Sequence, residues 1–585
     1  MNPDLTIPRL ETAINTTAKQ AALAARGDGW WHSAVVYQIY PRSFSDSNGD
    51  GIGDIPGITS RLNHLAELGV DVIWLSPIYQ SPQVDNGYDI SDYQDVDPLF
   101  GTLEDLDELI EQVHARGMKV VMDVVVNHTS DQHPWFQESR QPSSPKRDWY
   151  YWRPARAGRE PGTPGAEPDG SQAAFAPSAW THDEKSNEYY LGMFSPGQPD
   201  LNWENPEVRA AVFEMMRWWV DRGVDGFRLD VINMISKPTG LAGGGPVPEG
   251  SAAFETIANG PRLDEFLAEM NREVGFDELN LITVGEMPEV TLEVARNVTD
   301  PARSELSMVF PFEHMNLDQA SGSKWDLAPL SLPRLKANLA RWQEGLADVG
   351  WNSLYFGNHD QPRTVSRFGD DSEAHRVNSA KTLATVLHLH KGTPYIYQGE
   401  ELGMTNAPFN TIEDYQDVES FNYYALATAA GKDEADVLRS LATKSRDHAR
   451  TPVQWDNTAH AGFTTGEPWA PVNPNHAEIN AEAARLDPSS VFNHFRQLTS
   501  LRHDHEVVRE GTFELLLADD EQLWVFTRTL GAQRLLVLAN CSSYPADLPA
   551  DRLRNLTDAT SLLSTHGRDI NLPLEPWESR ILRLV

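Results

Sequence analysis

The sequence predicts an α/β protein: a (β/α)8 TIM barrel with an inserted subdomain after the third strand and a C-terminal antiparallel β-sandwich. Three observations lead there. Eight short, continuously apolar runs alternate with amphipathic helical patterns between residues 35 and 505. Polar and acidic residues recur at the C-terminal ends of those runs, where barrel sites are built. Beyond residue 506 the apolar period changes to strict alternation by two.

The elements follow in order. Residues 1–29 read as a polar N-terminal arm, with one short helix expected from Pro8 to Arg26. The first four strands are VVYQIYPRSF (35–44), VDVIWLSPI (70–78), KVVMDVVVNH (119–128) and VDGFRLDV (224–231). The next four are LITVGEM (281–287), ELSMVFPF (305–312), NSLYFGNHD (352–360) and TPYIYQGEEL (393–402). Continuous apolarity marks strands buried on both faces of a parallel sheet. Between them, TLEDLDELIEQVHARG (102–117) places Leu103, Leu106, Leu109, Ile110 and Val113 on one helical face. Thr102 is its expected N-cap and Gly117 its stop. SSVFNHFRQLTSLR (489–502) repeats the pattern. The barrel therefore takes residues 30–128 and 199–505. The segment 129–198, rich in Pro, Gly, Trp and Tyr, breaks the rhythm and reads as a subdomain overhanging the strand ends. The stretch 403–450 exceeds an ordinary loop and is expected to hold extra helices. FELLL (513–517), LWVFTRT (523–529) and RLLVLAN (534–540) place a β-sandwich at 506–585.

A formal net charge of −37 repels phosphate backbones and anionic lipid, so a small neutral substrate is expected, without nucleic acid or membrane partners. Cys541 is the single cysteine, so no intrachain disulfide forms. No apolar run reaches the roughly 18 residues of a membrane span. The N-terminus lacks the charged-then-apolar layout of a secretory signal, and a cytoplasmic location is expected.

Three carboxylates carry the chemistry: Asp230 in GFRLDVIN (226–233), Glu286 in VGEMPE (284–289) and Asp360 in GNHDQPR (357–363). Two carboxyls facing one acetal carbon are the minimum for glycoside hydrolysis with retention. A third charge can stabilise the cationic transition state. Arg228 and His359 stand beside the first and third carboxylates, where a cation and an imidazole set which carboxyl is ionised. Arg228 is expected to keep Asp230 ionised while Glu286 holds a proton. His64 and His114 fall on helix faces and read as exposed bystanders. DSNGDGIGD (46–54) offers Asp46, Asn48, Asp50 and Asp54, with the carbonyl of Ile52, as alternate oxygen donors for Ca2+, or Mg2+. Position 57 is Gly, so the twelfth-position glutamate of an EF-hand is missing. A metal-free Asx turn is the alternative.

The motif set DVVVNH (123–128), QPDLNW (198–203), GFRLDVIN, VGEMPE and GNHDQPR resembles glycoside hydrolase family 13, the α-amylase superfamily, in its oligo-1,6-glucosidase and α-glucosidase branch. The likeness runs from about Trp30 to the C-terminus. It takes in WWHSAVVYQIYPRSFSDSNGDGIGD (30–54), YIYQGEELGMTN (395–406) and KSRDHARTPVQWD (444–456). It implies that Asp230 is the nucleophile, Glu286 the general acid and then base, and Asp360 the transition-state stabiliser. It implies glucose contacts from Asp85, Tyr88, His128 and His359, and pocket walls from Phe194 and Gln198. It pairs Arg446 with Asp85, which would close the cleft behind one glucose and enforce exo-cleavage. Related members carry a cation in the 46–54 loop. A valine at 231 resembles members acting on α-1,6 bonds. Met287 and FAPSAW (175–180) depart from the usual threonine and glycine-rich versions and are expected to reshape the leaving-group side. The implied function is a retaining, exo-acting α-glucosidase for isomaltose and isomalto-oligosaccharides. The alternatives are an α-1,4-preferring enzyme, a sucrose isomerase or trehalose synthase on the same barrel, and a non-catalytic transporter heavy chain.

Overall fold

A computed structural model describes residues 29–238, 257–549, 559–567 and 573–584. The helix expected between Pro8 and Arg26 lies outside them. All eight apolar runs contain a strand: β1 Val36–Ile39, β2 Val72–Leu75, β3 Lys119–Val125, β4 Gly226–Asp230, β5 Ile282–Glu286, β6 Met308–Phe310, β7 Ser353–Leu354 and β8 Thr393–Tyr397. Each strand is shorter than its run, because the last residues of the run leave the sheet to build the loops above it. The strands pair in parallel in the order β6-β5-β4-β3-β2-β1-β8-β7. A parallel bridge between Val309 and Asn352 joins the two end strands and closes the ring. The Ser353 hydroxyl donates to the Val309 carbonyl at 2.6 Å across that seam.

A helix follows every strand: α1 Ile55–Leu68, α2 Leu103–Ala115, α3 Pro206–Asp221, α4 Leu263–Val274, α5 Leu292–Val298, α6 Leu332–Gly345, α7 Arg376–His388 and α8 Val491–Asp504. Thr102 caps α2 in a reciprocal capping box with Asp105, and Leu106, Leu109, Ile110 and Val113 are buried as the pattern requires. Ser490 caps α8. On α1, His64 is not the exposed bystander expected. It is buried between Trp455 and Phe492, with Nε2 3.0 Å from Glu401 Oε1. A fully buried carboxylate needs a donor, and this face of α1 supplies one. His114 is exposed on α2, 2.8 Å from Asp225.

Between β3 and α3 lies a short antiparallel sheet of Trp152–Arg153, Glu188–Leu191 and Trp180–Asp183. After β8 come helices Val418–Ala429 and Glu434–Lys444. The C-terminal region forms a five-stranded antiparallel sheet in the order β9-β10-β11-β13-β12. Its strands are β9 Thr512–Leu516, β10 Leu523–Leu530, β11 Gln533–Asn540, β12 Thr560–Ser564 and β13 Ser579–Leu584. Among the described residues the expected sandwich is this sheet, with an Ala546–Leu574 bridge packed on the core formed by Leu523, Val525, Leu536 and Leu538. Helix α7 lies between barrel and sheet, so it is buried along nearly all its length from Ser379 onward. No helix among the described residues is long and apolar enough to cross a membrane.

Candidate active site

The C-terminal ends of β3, β4 and β5 deliver three carboxyls to one guanidinium. Register places Val125 beside Asp230 and Leu229 beside Gly285, so Asp230 and Glu286 end adjacent strands. Arg228 Nη1 donates to Asp230 Oδ1 at 2.6 Å and to Asp123 Oδ1 at 2.7 Å. Its Nη2 lies 2.8 Å from Glu286 Oε2. Asp123 also accepts from the Tyr88 hydroxyl at 3.0 Å and the Trp74 indole at 3.3 Å. Immediately after Asp230 the chain turns left-handed at Val231 (φ 35°, ψ 42°), an uncommon conformation for a β-branched residue. That turn aims the Val231 N–H at Glu286 Oε2, 3.1 Å away, and so ties the two carboxyl-bearing strand ends together.

Sharing one cation has a consequence for protonation. Burial pushes Asp230 and Glu286 each up to about 7, against the downward pull of Arg228. Burial likewise raises Asp123 to about 6. Arg228 pulls Asp230 toward ionisation in the direction the sequence suggested, but three buried carboxyls divide its single charge. Burial thus favours a shared proton on the Asp230–Glu286 pair, against the pull of Arg228.

Asp360 has the opposite environment. Its Oδ1 accepts from Arg446 Nη1 and Arg450 Nη2, both at 2.9 Å, and its Oδ2 lies 3.0 Å from His359 Nε2. Burial would raise this carboxyl, but His359 and the two arginines hold it well below the usual carboxylate range. Gln38 Nε2 lies 2.8 Å from His359 Nδ1 on the side of the ring away from Asp360. Tyr88 stacks on the His359 ring at 5.2 Å.

Beside Asp360 lies a buried polar cluster. Arg446 Nη2 donates to Asp85 Oδ1 at 3.0 Å, as expected from the sequence. Gln198 donates to Asp85 Oδ2 at 3.2 Å and accepts from Ser195 Oγ at 2.8 Å. His128 Nε2 faces the Tyr88 carbonyl at 3.0 Å, and the Phe194 ring lies 4.9 Å from the His128 ring. The eleven carboxylate and sugar-contact candidates thus converge through direct contacts around one cleft. Of the two segments expected to reshape the leaving-group side, one lies away from the cleft. Met287 packs in the barrel core, where its N–H on the Phe310 carbonyl ties it to the end of β6. Of the FAPSAW segment, Phe175 reaches the cleft, 5.3 Å from the Arg446 guanidinium.

Sequence reasoning missed Asp123, Gln38, Asp417 and Arg450. Asp123 had a signal: a carboxylate inside the apolar run KVVMDVVVNH. Asp417 had none, lying in the acidic stretch TIEDYQDVES of a strongly acidic chain.

The 46–54 loop stands apart, held against residues 463–469. Asp46 accepts from the N–H groups of Asn48, Gly49 and Gly51 and from the Thr464 hydroxyl. Asn48 accepts from Asp50 N–H and Asp50 from Ile52 N–H. Asp54 accepts from Ser47 and caps α1 through Gly57 N–H at 2.6 Å. In type, this donor set fits a hard cation: Asn48 Oδ1, Asp50 Oδ1 and Asp54 Oδ1 each accept one N–H and keep a further lone pair, whereas both Asp46 oxygens and Asp54 Oδ2 each accept two donors and would exchange one for the ion. Among the described residues, however, no three His, Cys, Asp or Glu side chains are gathered as a metal-ligand group.

Comparison with known proteins agrees with this geometry. The profile of the family described as "Alpha amylase, catalytic domain" matches residues 38–511. The chain is 52% identical over 563 residues to an oligo-1,6-glucosidase of Halalkalibacterium halodurans, covering 94% of this chain and 98% of that one. It superposes on the crystal structure of Bacillus licheniformis trehalose-6-phosphate hydrolase with a TM-score of 0.88 at 46% identity, covering 95% and 100% of the two chains. An isomaltulose synthase from Klebsiella sp. LX3 matches with a TM-score of 0.89 at 39% identity, covering 95% and 99%.

Proposed function

The chain belongs to the α-amylase family of glycoside hydrolases, and from that premise we propose that it is a retaining, exo-acting α-glucosidase preferring α-1,6-linked glucosides such as isomaltose. One observation carries the reading: a buried carboxyl pair sharing Arg228, beside the Asp85–Arg446–Asp360 ion cluster. In the first step the Asp230 carboxylate bonds to the anomeric carbon as the glycosidic bond breaks. Glu286 gives its proton to the departing oxygen. In the second step Glu286, now ionised, takes a proton from water. The water oxygen bonds to the same carbon and the Asp230 ester breaks. Asp360, held ionised by its arginines and His359, stabilises the positive charge that develops on the sugar in both steps. The ion cluster would close the site behind one glucose, so glucose would leave one unit at a time.

The linkage preference rests on Val231 and on the oligo-1,6-glucosidase at 52% identity. The isomaltulose synthase likeness favours a second reading, in which another sugar rather than water accepts the glucosyl group. Against it, the segment TVSRFGDDSEAHR after Asp360 carries no arginine-rich loop. Initial rates and product analysis on isomaltose, maltose, sucrose and trehalose 6-phosphate decide the matter. Glucose from isomaltose at the highest kcat/KM is expected. A higher kcat/KM for maltose would overturn the linkage, and isomerised sucrose as the main product would overturn hydrolysis.

We also propose a structural Ca2+ in the 46–54 loop, supported by its alternate oxygen donors. Asp46, Asn48, Asp50, Asp54 and the Ile52 carbonyl would hold it. The ion would brace the first βα loop and take no part in bond breaking. A thermal midpoint unmoved by EDTA and by added Ca2+ would refute it.

A further inference from the structure

Two guanidiniums, those of Arg446 and Arg450, converge on a single oxygen of Asp360. Like charges so close repel, and something must hold both in place. Asp417 has one oxygen on each: Oδ1 lies 2.9 Å from Arg446 Nε, and Oδ2 accepts from Arg450 Nη1 at 2.6 Å. It is 1% exposed and stands behind both arginines. Its Oδ2 is also 3.5 Å from the side-chain amide of Asn86, the neighbour of Asp85. Its own backbone is fixed, because Asp447 Oδ1 accepts from the N–H groups of Gln416 and Asp417 at 2.8 and 3.0 Å. Asp417 further caps the helix Val418–Ala429 by accepting from Glu419 N–H at 2.8 Å. That helix reaches over the cleft, where Asn422 donates to the Phe175 carbonyl at 3.0 Å.

We propose that Asp417 is a positioning residue: it supplies the counter-charge that keeps Arg446 and Arg450 together, and through them fixes Asp85 and Asp360 on the bound glucosyl ring. The role rests on the reading of that cluster as the pocket floor. It acts on the ring being transferred and not on the leaving group. Its loss therefore weakens all glucosides by one common factor, and weakens free glucose with them.

Asp417→Asn tests this, since asparagine keeps the shape and the acceptor for Glu419 N–H while removing the charge. Expected is a fall in kcat/KM of about tenfold or more, equal for isomaltose, maltose and p-nitrophenyl α-D-glucoside, as for a lost charge-assisted contact worth over ~1.4 kcal/mol. The Ki of glucose should rise in parallel. Unequal losses across the three substrates with an unchanged glucose Ki would mean that Asp417 serves only the helix over the cleft, and would overturn the proposal. Arg450→Lys reads the same link from its other end and decides the matter should Asp417→Asn fail to fold. The double variant should be no worse than the weaker single variant, and additive losses would count against a shared link. Asp230→Asn separates the two levels. If it keeps full activity, the site itself is misread. If it is inactive while Asp417→Asn matches the parent protein, the Asp417 assignment alone falls.

Discussion

At the scale of single residues, Arg228 faces more negative charge than it can balance. Asp123, Asp230 and Glu286 all contact it. With Asp230 and Glu286 both pushed up to about 7, kcat/KM should follow a bell in pH. The acid limb is protonation of the second carboxyl, and the alkaline limb is loss of the last proton. Asp230→Asn and Glu286→Gln should each cost more than about 1,000-fold in kcat on isomaltose, read by glucose release. Glu286 also has a stability consequence. The folded state binds its proton more tightly than the unfolded chain, so the contribution is intact below the ordinary value of 4.5. It drains as pH climbs toward about 7. The loss is on the order of 3 kcal/mol at ~1.36 kcal/mol per pH unit. Glu286→Gln should therefore be stabilised relative to the parent protein at pH 8 and far less at pH 5, as thermal midpoints at both values would show.

At the scale of elements, caps and close approaches decide where strands and helices begin. Asp54 caps α1, so Asp54→Ala should lower stability by about 1 kcal/mol in EDTA, and by more in Ca2+, where it also loses a proposed ligand. Asp50 caps no helix and accepts only the exposed Ile52 N–H, so Asp50→Ala should mainly remove the increment that Ca2+ adds. Denaturant titrations of both variants under both conditions separate cap from cation. At the start of β4, a Cβ on Gly226 would lie 2.0 Å from the Ile282 carbonyl oxygen. Gly226→Ala should force β4 and β5 apart and abolish activity by displacing Asp230 and Glu286, with loss of soluble protein as the companion readout. Most of these elements were legible in the sequence. Continuous apolar runs gave the eight strands, and Thr102 marked a helix start. The inserted sheet was not legible strand by strand, because its strands are two to four residues long and show no period.

At the scale of the whole molecule, the barrel and the C-terminal sheet share buried polar bonds. The Lys336 ammonium on α6 donates to the carbonyls of Leu517, Asp520 and Leu523 at 2.7, 2.6 and 2.9 Å. Arg528 on β10 donates to the Leu389 carbonyl at 2.6 Å, and Thr382 on α7 to the Trp577 carbonyl at 2.7 Å. Lys336→Met leaves those three carbonyls without their donor and should cost about 2–4 kcal/mol, seen as a lower denaturation midpoint. Activity per folded molecule should be unchanged, because α6 meets the sheet far from the strand ends that carry the carboxyls.

The sequence by itself determined the fold class, the order of the strands and the three carboxylates at their ends. Strands buried on both faces must be apolar throughout, and a site residue must follow such a run, so both facts are written locally. Only the tertiary structure decided that Arg228 is divided among three carboxyls, that His64 is buried on Glu401, and that Asp417 and Arg450 stand behind the cleft. Protonation and ion pairing depend on burial and on partners tens to hundreds of residues away. Loops without periodicity bring those partners together, and one acidic residue among many looks the same until the chain has folded around it.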